Sequence, residues 1–184
     1  MTDAFDAAVE TVFLHEGFGK YTDDPADPGG PTKWGISLRF LRKLADDDGD
    51  GWLDGDLDHD GDVDAEDIRL MTRRQAKRIY RRQFWSRYDY GLLFSAGGKI
   101  FDLAVNMGPG NAHRVLQRAC RACGHKVKVD GFLGPITIAA ANSCPREAIH
   151  AACREAAAGY YRGLVLLRPA FGKYLEGWLA RAYF

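Results

Sequence analysis

The sequence predicts a mostly helical protein that folds as a single domain. Apolar side chains recur at helical spacing in several segments, and one stretch rich in turn-forming residues suggests a small hairpin. With 184 residues, the chain is long enough to bury a sizeable core in one domain. Its hydrophobic fraction of 46% and charged fraction of 27% are typical of a globular protein.

The first part of the chain is predicted to hold two helices joined by turns. A helix is expected from Asp3 to about Glu16, capped by Thr2 or Asp3. Its apolar residues fall on one buried face: Phe5, Ala8, Val9, Val12 and Phe13. Residues 17–36 are rich in Gly, Pro, Asp and Thr, which indicates turns and a small hairpin. Ser37 is then expected to cap a short helix.

The second part is predicted to be almost entirely helical. Thr72 and Gln75 have the spacing of a capping box, which predicts a helix that continues to about Trp85. Further helices are predicted over Lys99–Met107, Ala112–Cys123, a segment ending near Asn142, Pro145–Leu167, and a last segment with Tyr174, Trp178 and Leu179. The helix over Lys99–Met107 is apolar nearly all round and is therefore expected to be buried.

The chain carries no recognisable targeting segment. No apolar run approaches the length of a membrane span. The N-terminus is acidic and lacks the basic start and apolar core of a signal peptide. We therefore expect synthesis in the cytoplasm, so that any work outside the cell needs another exit route.

Four cysteines raise the question of a metal or redox site. Cys120-x-x-Cys123, followed by His125, is compatible with zinc, but a second close pair is missing. The others are Cys144 and Cys153. In a protein without a secretion signal, we expect buried free thiols instead.

Glu16 is the first candidate for chemistry. It continues the apolar face of its helix and lies in the last turn, where the helix dipole is negative, so both effects favour the protonated form that a general acid needs. The turns that follow supply further candidates: the carboxylates Asp23, Asp24 and Asp27, the hydroxyl of Thr32, and the rings of Tyr21 and Trp34. An acid, a second carboxylate and aromatic sugar platforms are the components of glycoside hydrolysis. The alternative is that Glu16 is a surface residue beside an ordinary loop.

The motif "HEGF…DPADPGGPTKWGIS" resembles the signature of glycoside hydrolase family 108, lysozyme-like N-acetylmuramidases found among phage endolysins. The matching positions are Glu16-Gly17, the four residues 27–30, Thr32 and Gly35-Ile36. The chain departs from the family at Phe18-Gly19, which replace a Gly-Tyr step, and Tyr21 is a candidate for the missing aromatic.

The resemblance continues through the second half of the chain. The matching motifs are "IFDLAVNMG", "RVLQRA", "VDGFLGPIT", "GYYRGL" and "GWLAR", and they are similar to the family's peptidoglycan-binding portion. The resemblance implies a lysozyme-like, mainly α fold. Residues 1–45 would be its catalytic part, 46–67 an insertion, and 68–184 a helical part with a peptidoglycan-binding-like C-terminal region.

The resemblance also implies roles for individual residues. Glu16 corresponds to the catalytic acid, and Asp27 and Thr32 fall near the position of the attacking water. Spacing leaves Asp24 open as the second carboxylate; Asp27 is favoured because it lies inside the matched motif, although it could also simply cap the Pro-Gly-Gly turn. Asn106 could bind a sugar N-acetyl group or cap the helix end at Met107.

An acidic island over residues 46–67 is predicted to bind calcium, in a loop like that of dockerin EF-hands. Gly61 lies at position 6 of a twelve-residue loop, where the chain must turn sharply. The ligands would be Asp56, Asp58, Asp60, Asp62 through its carbonyl, Asp64 and Asp67. A partial copy begins at Asp46, with further carboxylates at Asp48, Asp50 and Asp54, but lacks an acidic residue at its twelfth position. We expect Ca²⁺ to be structural; the alternative is a solvated loop without metal.

A basic stripe is predicted on one helix, and it offsets the acidic first part of the chain. Residues 1–67 hold 19 acidic and 5 basic side chains, whereas 68–184 hold 6 and 20. The stripe consists of Arg73, Arg74, Lys77, Arg78, Arg81 and Arg82. It is either a solvated face balanced by the acidic island or a surface for anionic cell-envelope polymers or lipid headgroups. Nucleic acid is not expected, because no nucleic-acid motif accompanies the charge.

The predicted function is that of a monomeric endolysin-type muramidase. It would cut the β-1,4 bond between N-acetylmuramic acid and N-acetylglucosamine after release to the cell wall, as in phage lysis. Two alternatives stay open: a lytic transglycosylase, and a calcium-dependent wall-binding protein without turnover.

Overall fold

The protein is mainly α-helical, as the sequence predicts. The computed structural model describes residues 3–24, 29–47, 49 and 51–184. Its helices are α1 Ala4–His15, α2 Leu38–Leu41, α3 Ala65–Leu70, α4 Arg73–Tyr80, α5 Gly97–Met107, α6 Pro109–Ala122, α7 Pro135–Ser143, α8 Arg146–Leu167 and α9 Leu175–Tyr183. Two short strands are β1 Thr32–Lys33 and β2 Ile36–Ser37. Among the described helices, none is both long and apolar enough to cross a membrane.

The chain divides into two compact units. We call Glu10–Tyr80 the hairpin unit, and Met1–Val9 together with Arg81–Phe184 the helical unit. The division falls inside α1 and at the end of α4, so neither boundary coincides with a flexible linker in the sequence.

The hairpin unit is built on the end of α1 and an antiparallel hairpin. In the hairpin, Thr32 lies opposite Ser37, and Thr22 pairs with Thr32 from the other side. The Ser37 hydroxyl accepts a hydrogen bond from the Phe40 N–H (3.3 Å), which confirms the predicted cap of α2. The core residues are Val12, Phe13, Ile36, Leu41, Ile68, Met71, Ile79 and Tyr80.

The predicted capping box opens α4. The Thr72 N–H donates to Gln75 Oε1 (2.8 Å), and the Gln75 N–H donates to the Thr72 hydroxyl (3.3 Å). The α-helix ends at Tyr80 rather than near Trp85, because the following residues, Arg81–Ser86, form a π-helical turn.

The helical unit is organised around α5, whose side chains Ile100, Phe101, Leu103 and Ala104 are fully buried. Helix α6 packs against α5 and α8, and α8 packs against α9. One buried ion pair also lies in this unit. Arg181 from α9 donates to both carboxylate oxygens of Asp102 in α5, at 2.9–3.2 Å.

Candidate active site

The Glu16 carboxyl lies at the end of α1, against the turn of the hairpin. The helical hydrogen bonding continues to Glu16, whose N–H donates to the Val12 carbonyl (2.9 Å). The side chain is half-buried, whereas the preceding members of its face, Val12 and Phe13, are fully buried. The predicted apolar face therefore ends on a carboxylate that solvent can reach.

Gly35 sets the distance between the hairpin turn and the carboxyl. A Cβ at this position would lie 2.5 Å from Glu16 Cγ and 2.7 Å from Glu16 Oε2, and also 2.7 Å from the Tyr80 hydroxyl. The φ of Gly35 is +76°, which side chains rarely adopt. Glycine is thus required here by both the space and the backbone.

Tyr80 and Trp34 support the same turn. The Tyr80 hydroxyl donates to the Trp34 carbonyl at 2.8 Å, and both rings pack against Phe13. The left-handed Trp34 backbone (φ +56°) is held in place by these contacts. Helix α4 therefore contributes to the site through its buried face.

The Trp34 ring is half-buried and covers Gly19, where any Cβ would overlap the indole. This contact gives a physical reason for the Phe18-Gly19 order that departs from the family pattern. The Trp34 Nε1 is buried and has no hydrogen-bond partner among the described residues. A buried donor of this kind is costly to leave unpaired.

The other predicted residues of the hairpin unit lie along the adjacent strand. The Thr32 hydroxyl donates to the Gly30 carbonyl (3.2 Å), which leaves its oxygen as an acceptor. The exposed Tyr21 donates to Asp23 Oδ2 (3.4 Å), and desolvation together with the Asp23 charge raises the pKa of Tyr21. Asp24 is exposed, and Asp27 lies outside the described residues.

Asn106 belongs to the helical unit, near the end of α5. Its side chain is exposed, and its Oδ1 accepts a hydrogen bond from the Tyr161 hydroxyl (2.8 Å). The end of α5 is capped instead by Asn111, whose Nδ2 donates to the Met107 carbonyl (2.9 Å). Asn106 therefore contacts α8. The sequence had suggested either a sugar N-acetyl group or the end of α5 as its partner.

Two residues of the site were missed by sequence reasoning, namely Gly35 as the contact of Glu16 and Tyr80 as the support of the turn. Gly35 lies in the matched Gly-Ile motif, and this motif could have identified it as a residue of the site. Tyr80 was placed only on the apolar face of its helix, since its hydrogen bond to Trp34 spans 46 residues of sequence.

The acidic island brings its carboxylates together in two groups. Oxygens of Asp56, Asp58 and Asp60 lie within 4.8 Å of one another, as do those of Asp62, Asp64 and Asp67. Repulsion from Asp60 followed by desolvation raises the pKa of Asp62, and desolvation followed by repulsion from Asp60 raises the pKa of Asp58.

Backbone groups fix the two ends of this loop. Asp56 accepts hydrogen bonds from the N–H groups of Asp60 (3.2 Å) and Gly61 (3.0 Å). Asp67 accepts from Leu57 (2.6 Å) and from Asp64 (2.7 Å), and the latter bond belongs to a capping box that starts α3. Both end carboxylates are therefore held in place, and both are buried.

The partial copy has a similar turn at its start. Asp46 accepts from the N–H groups of Gly49 (2.6 Å) and Gly51 (3.0 Å). The Asp54 N–H donates to the Ala45 carbonyl (3.2 Å), so the chain returns to the point where it left. Its other two predicted carboxylates, Asp48 and Asp50, lie outside the described residues.

The basic stripe is partly neutralised by acidic residues near the start of the chain. Within the hairpin unit, Arg73 pairs with Glu10 of α1. Within the helical unit, Arg81 pairs with Asp3 and Asp6. The acidic partners that the structure shows for these two arginines thus come from the N-terminal helix and its cap, whereas the sequence pointed to the acidic island.

The cysteines lie in the helical unit as free thiols, and Cys120, Cys144 and Cys153 are buried as expected. Cys123 is half-buried. Burial raises the pKa of Cys120 to about 11, and that of Cys144 and Cys153 to about 12. Thiols of this kind are weak nucleophiles at neutral pH.

Comparison with known proteins is consistent with this geometry. Residues 9–108 match the family described as glycosyl hydrolase 108, and residues 111–183 match the family described as "Predicted Peptidoglycan domain". No curated protein matches the chain. Among solved structures, it is similar to SagA of Brucella abortus with a TM-score of 0.71 and 26% identity, over 97% of this chain and 88% of that one.

These matches confirm the lysozyme-like, mainly α fold and identify peptidoglycan as a partner. The first match covers more than half of the chain and contains Glu16, the hairpin and α4. The protein is therefore a peptidoglycan hydrolase, and the chain belongs to the glycosyl hydrolase 108 family.

Proposed function

We propose that the protein is an N-acetylmuramidase that hydrolyses the β-1,4 bond between N-acetylmuramic acid and N-acetylglucosamine. The observation that carries this proposal is the Glu16 carboxyl, half-buried at the end of α1 and fixed against Gly35 of the hairpin turn. A carboxyl with a defined position and access to solvent can deliver a proton to the leaving oxygen of a glycosidic bond.

The neighbouring groups suggest how the remaining steps proceed. The Thr32 oxygen can accept a hydrogen bond from water, because its own proton is donated to Gly30. Asp27 is the proposed second carboxylate, which would orient this water or stabilise the oxocarbenium-like transition state. The half-buried Trp34 ring can offer an apolar face to a sugar ring.

The test of the acid is Glu16→Gln, which keeps the size of the side chain and removes the proton. We expect release of reducing ends from purified peptidoglycan to fall by about 10² to 10⁴-fold, with the thermal unfolding midpoint unchanged. Glu147→Gln, at an exposed glutamate of α8, is the matched control and should retain full activity. A fully active Glu16→Gln variant would exclude the assignment.

Product analysis distinguishes hydrolysis from the transglycosylase alternative. Mass spectrometry of the digest should show reducing sugar ends that carry the mass of one added water. Anhydro-sugar ends would instead identify a lytic transglycosylase.

Asp27→Asn should lower the rate of hydrolysis more than Asp24→Asn. The reverse order would assign the second carboxylate to Asp24.

We further propose that the loop over residues 56–67 binds calcium in a structural role. It holds two groups of three carboxylates, Asp60 of one group repels Asp62 of the other, and a divalent cation would relieve this repulsion. The loop is also tied to the rest of its unit. Arg42 Nε donates to the Val63 carbonyl (2.8 Å), and Lys33 Nζ in β1 donates to the Arg69 carbonyl of α3 (2.7 Å).

Calcium binding should raise the thermal unfolding midpoint, because a ligand at 100 times its Kd adds about 2.7 kcal/mol to stability. Asp60→Asn should weaken this response, since it removes one ligand charge. Glu176→Gln, at an exposed acidic residue of α9, should leave it unchanged. Equal midpoints with calcium and with chelator would contradict the proposal.

The remaining proposals concern where the enzyme works. We propose that it reaches the cell wall after release from the cytoplasm, as in phage lysis. The exposed Arg74 and Arg78 of the basic stripe would then strengthen attraction to anionic envelope polymers. Charge reversal at these two positions should weaken wall binding most at low ionic strength, because salt screens exposed charges.

A further inference from the structure

A groove in the helical unit has the features of a second ligand site. Its volume is about 530 Å³, within the range of typical ligand pockets. One side is formed by the segment after the π-helical turn, the other by the turn before α7, and the start of α6 lies between them. Its lining includes Arg87, Tyr88, Asp89, His113 and Phe132.

The turn on one side of the groove is held rigidly by Gln117. This side chain is almost fully buried, and its Oε1 accepts from the Gly131 N–H (2.8 Å). Its Nε2 donates to Asp130 Oδ1 (2.8 Å) and to the Phe132 carbonyl (2.9 Å). Asp130 Oδ1 also accepts from the Phe132 N–H (2.9 Å). These four hydrogen bonds hold residues 130–132 in place.

His113 connects this turn to the opposite side. Its Nδ1 lies 2.9 Å from the Gly131 carbonyl and its Nε2 lies 2.9 Å from the Tyr90 hydroxyl. Burial lowers the pKa of His113 and raises that of Tyr90, so both are neutral. A carbonyl can only accept, so Nδ1 carries the proton and Nε2 accepts from Tyr90. The walls of the groove are therefore preorganised.

Phe132 stands exposed on this rigid turn. It is 73% exposed, although its backbone is fixed on both sides. The ring packs against Gly134 and lines both this groove and a smaller cleft of about 180 Å³. An exposed aromatic ring shared by two clefts suits a chain-like ligand better than a compact molecule.

We propose that this groove binds the glycan strand of peptidoglycan, as a site separate in sequence from the Glu16 region. Phe132 and Tyr88 offer faces for the apolar side of N-acetylhexosamine rings, while Asp89 accepts from sugar hydroxyls and Arg87 donates to them. Of the nine residues that line the groove, four lie within the segment that matches a peptidoglycan domain, namely His113 and residues 131–133. The inference rests on the proposed function only in taking peptidoglycan as the substrate.

The test measures binding without turnover. In a Glu16→Gln background, the protein is pelleted with purified insoluble peptidoglycan, and the bound fraction is titrated. We expect Phe132→Ala to weaken binding at least tenfold, and Asp89→Asn to weaken it less. Asparagine is the suitable replacement because it tolerates the left-handed backbone of Asp89, φ +52°. Phe94→Ala, at an 83% exposed phenylalanine of the same unit, is the matched control and should bind normally.

Competition identifies the part of the polymer that is bound. A β-1,4-linked N-acetylglucosamine tetrasaccharide should displace the Glu16→Gln protein, whereas a free stem tripeptide should not. Unchanged binding by a folded Phe132→Ala variant, or displacement by the peptide alone, would overturn the proposal. If the protein is not a muramidase, the wild-type protein will release no reducing ends, and this result is independent of the binding test.

Discussion

Gly35 determines how the hairpin turn meets the Glu16 carboxyl, and it makes the site sensitive to a single methyl group. Its missing Cβ lets the turn approach both Glu16 and the Tyr80 hydroxyl. The turn also supplies the Trp34 carbonyl that accepts from Tyr80. A change at this residue therefore acts on the position of the acid rather than on its chemistry.

We expect Gly35→Ala to reduce peptidoglycan hydrolysis at least tenfold and to lower stability by more than the about 1–2 kcal/mol that a left-handed backbone costs, because the added methyl group also meets Glu16 and the Tyr80 hydroxyl. Turbidity loss and thermal unfolding measure the two effects. Gly124→Ala is the control, because Gly124 has φ +90° but nothing within 4 Å of its missing Cβ. It should lose only the about 1–2 kcal/mol that the backbone strain costs and keep its activity; an inactive control would show that backbone strain alone explains the loss.

At the scale of single residues, the sequence indicated a candidate acid but not its contacts. Glu16 could be named as the candidate because periodicity and a motif agreed on it. Its packing against Gly35 depends on how the hairpin folds back, which no local pattern contains. The same holds for Asn106, whose partner Tyr161 is 55 residues away.

Among the structural elements, the starts of α2 and α4 were predicted well because their capping signals are local. Ser37 and the Thr72–Gln75 pair bond to groups no more than three residues away, so the sequence contains both partners. The π-helical turn at Arg81–Ser86 was not predicted, since the apolar spacing there is also compatible with an α-helix. Tertiary packing decides between the two.

Without calcium, the acidic loop should lower the stability of the fold at neutral pH. The folded loop raises the pKa of Asp58 and Asp62, so it binds protons more tightly than the unfolded chain. The metal-free loop is therefore destabilised at neutral pH, and this effect fades as the pH falls through the raised pKa values.

We expect the double variant Asp58→Asn, Asp62→Asn to be more stable than wild type in chelator at about pH 7, with the difference shrinking towards about pH 4.5. In calcium the order should reverse, because Asp58 is a proposed ligand. Thermal unfolding at both pH values measures this. A variant less stable than wild type in chelator at neutral pH would contradict the electrostatic argument.

Across the whole molecule, one buried ion pair joins distant parts of the sequence. Asp102 and Arg181 are 79 residues apart, and both are nearly inaccessible to solvent. Removing Arg181 takes away the guanidinium that faces the buried Asp102 carboxylate, and losing one partner of a buried pair costs more than the pair itself contributes.

We predict that Arg181→Met lowers the free energy of unfolding by about 3–5 kcal/mol. The double variant Asp102→Leu, Arg181→Met should recover part of this loss, because no unpaired charge remains. Denaturant titration of the three proteins measures both effects. A double variant less stable than Arg181→Met would show that the pair contributes more than its desolvation costs.

The sequence was sufficient to predict the fold class. It did not indicate that the chain divides into two compact units. Helical periodicity and the family motifs were sufficient for a mainly α, lysozyme-like protein. The unit boundary inside α1 follows from contacts between distant segments, and the helix itself is continuous there. No composition change marks it.

The bond between the Asp54 N–H and the Ala45 carbonyl has a practical consequence for engineering. Because this bond joins the two residues, the ends of the segment between them lie side by side. An affinity tag is best inserted beside the exposed Gly49, since a segment with adjacent ends accepts extra sequence with little cost in closure entropy.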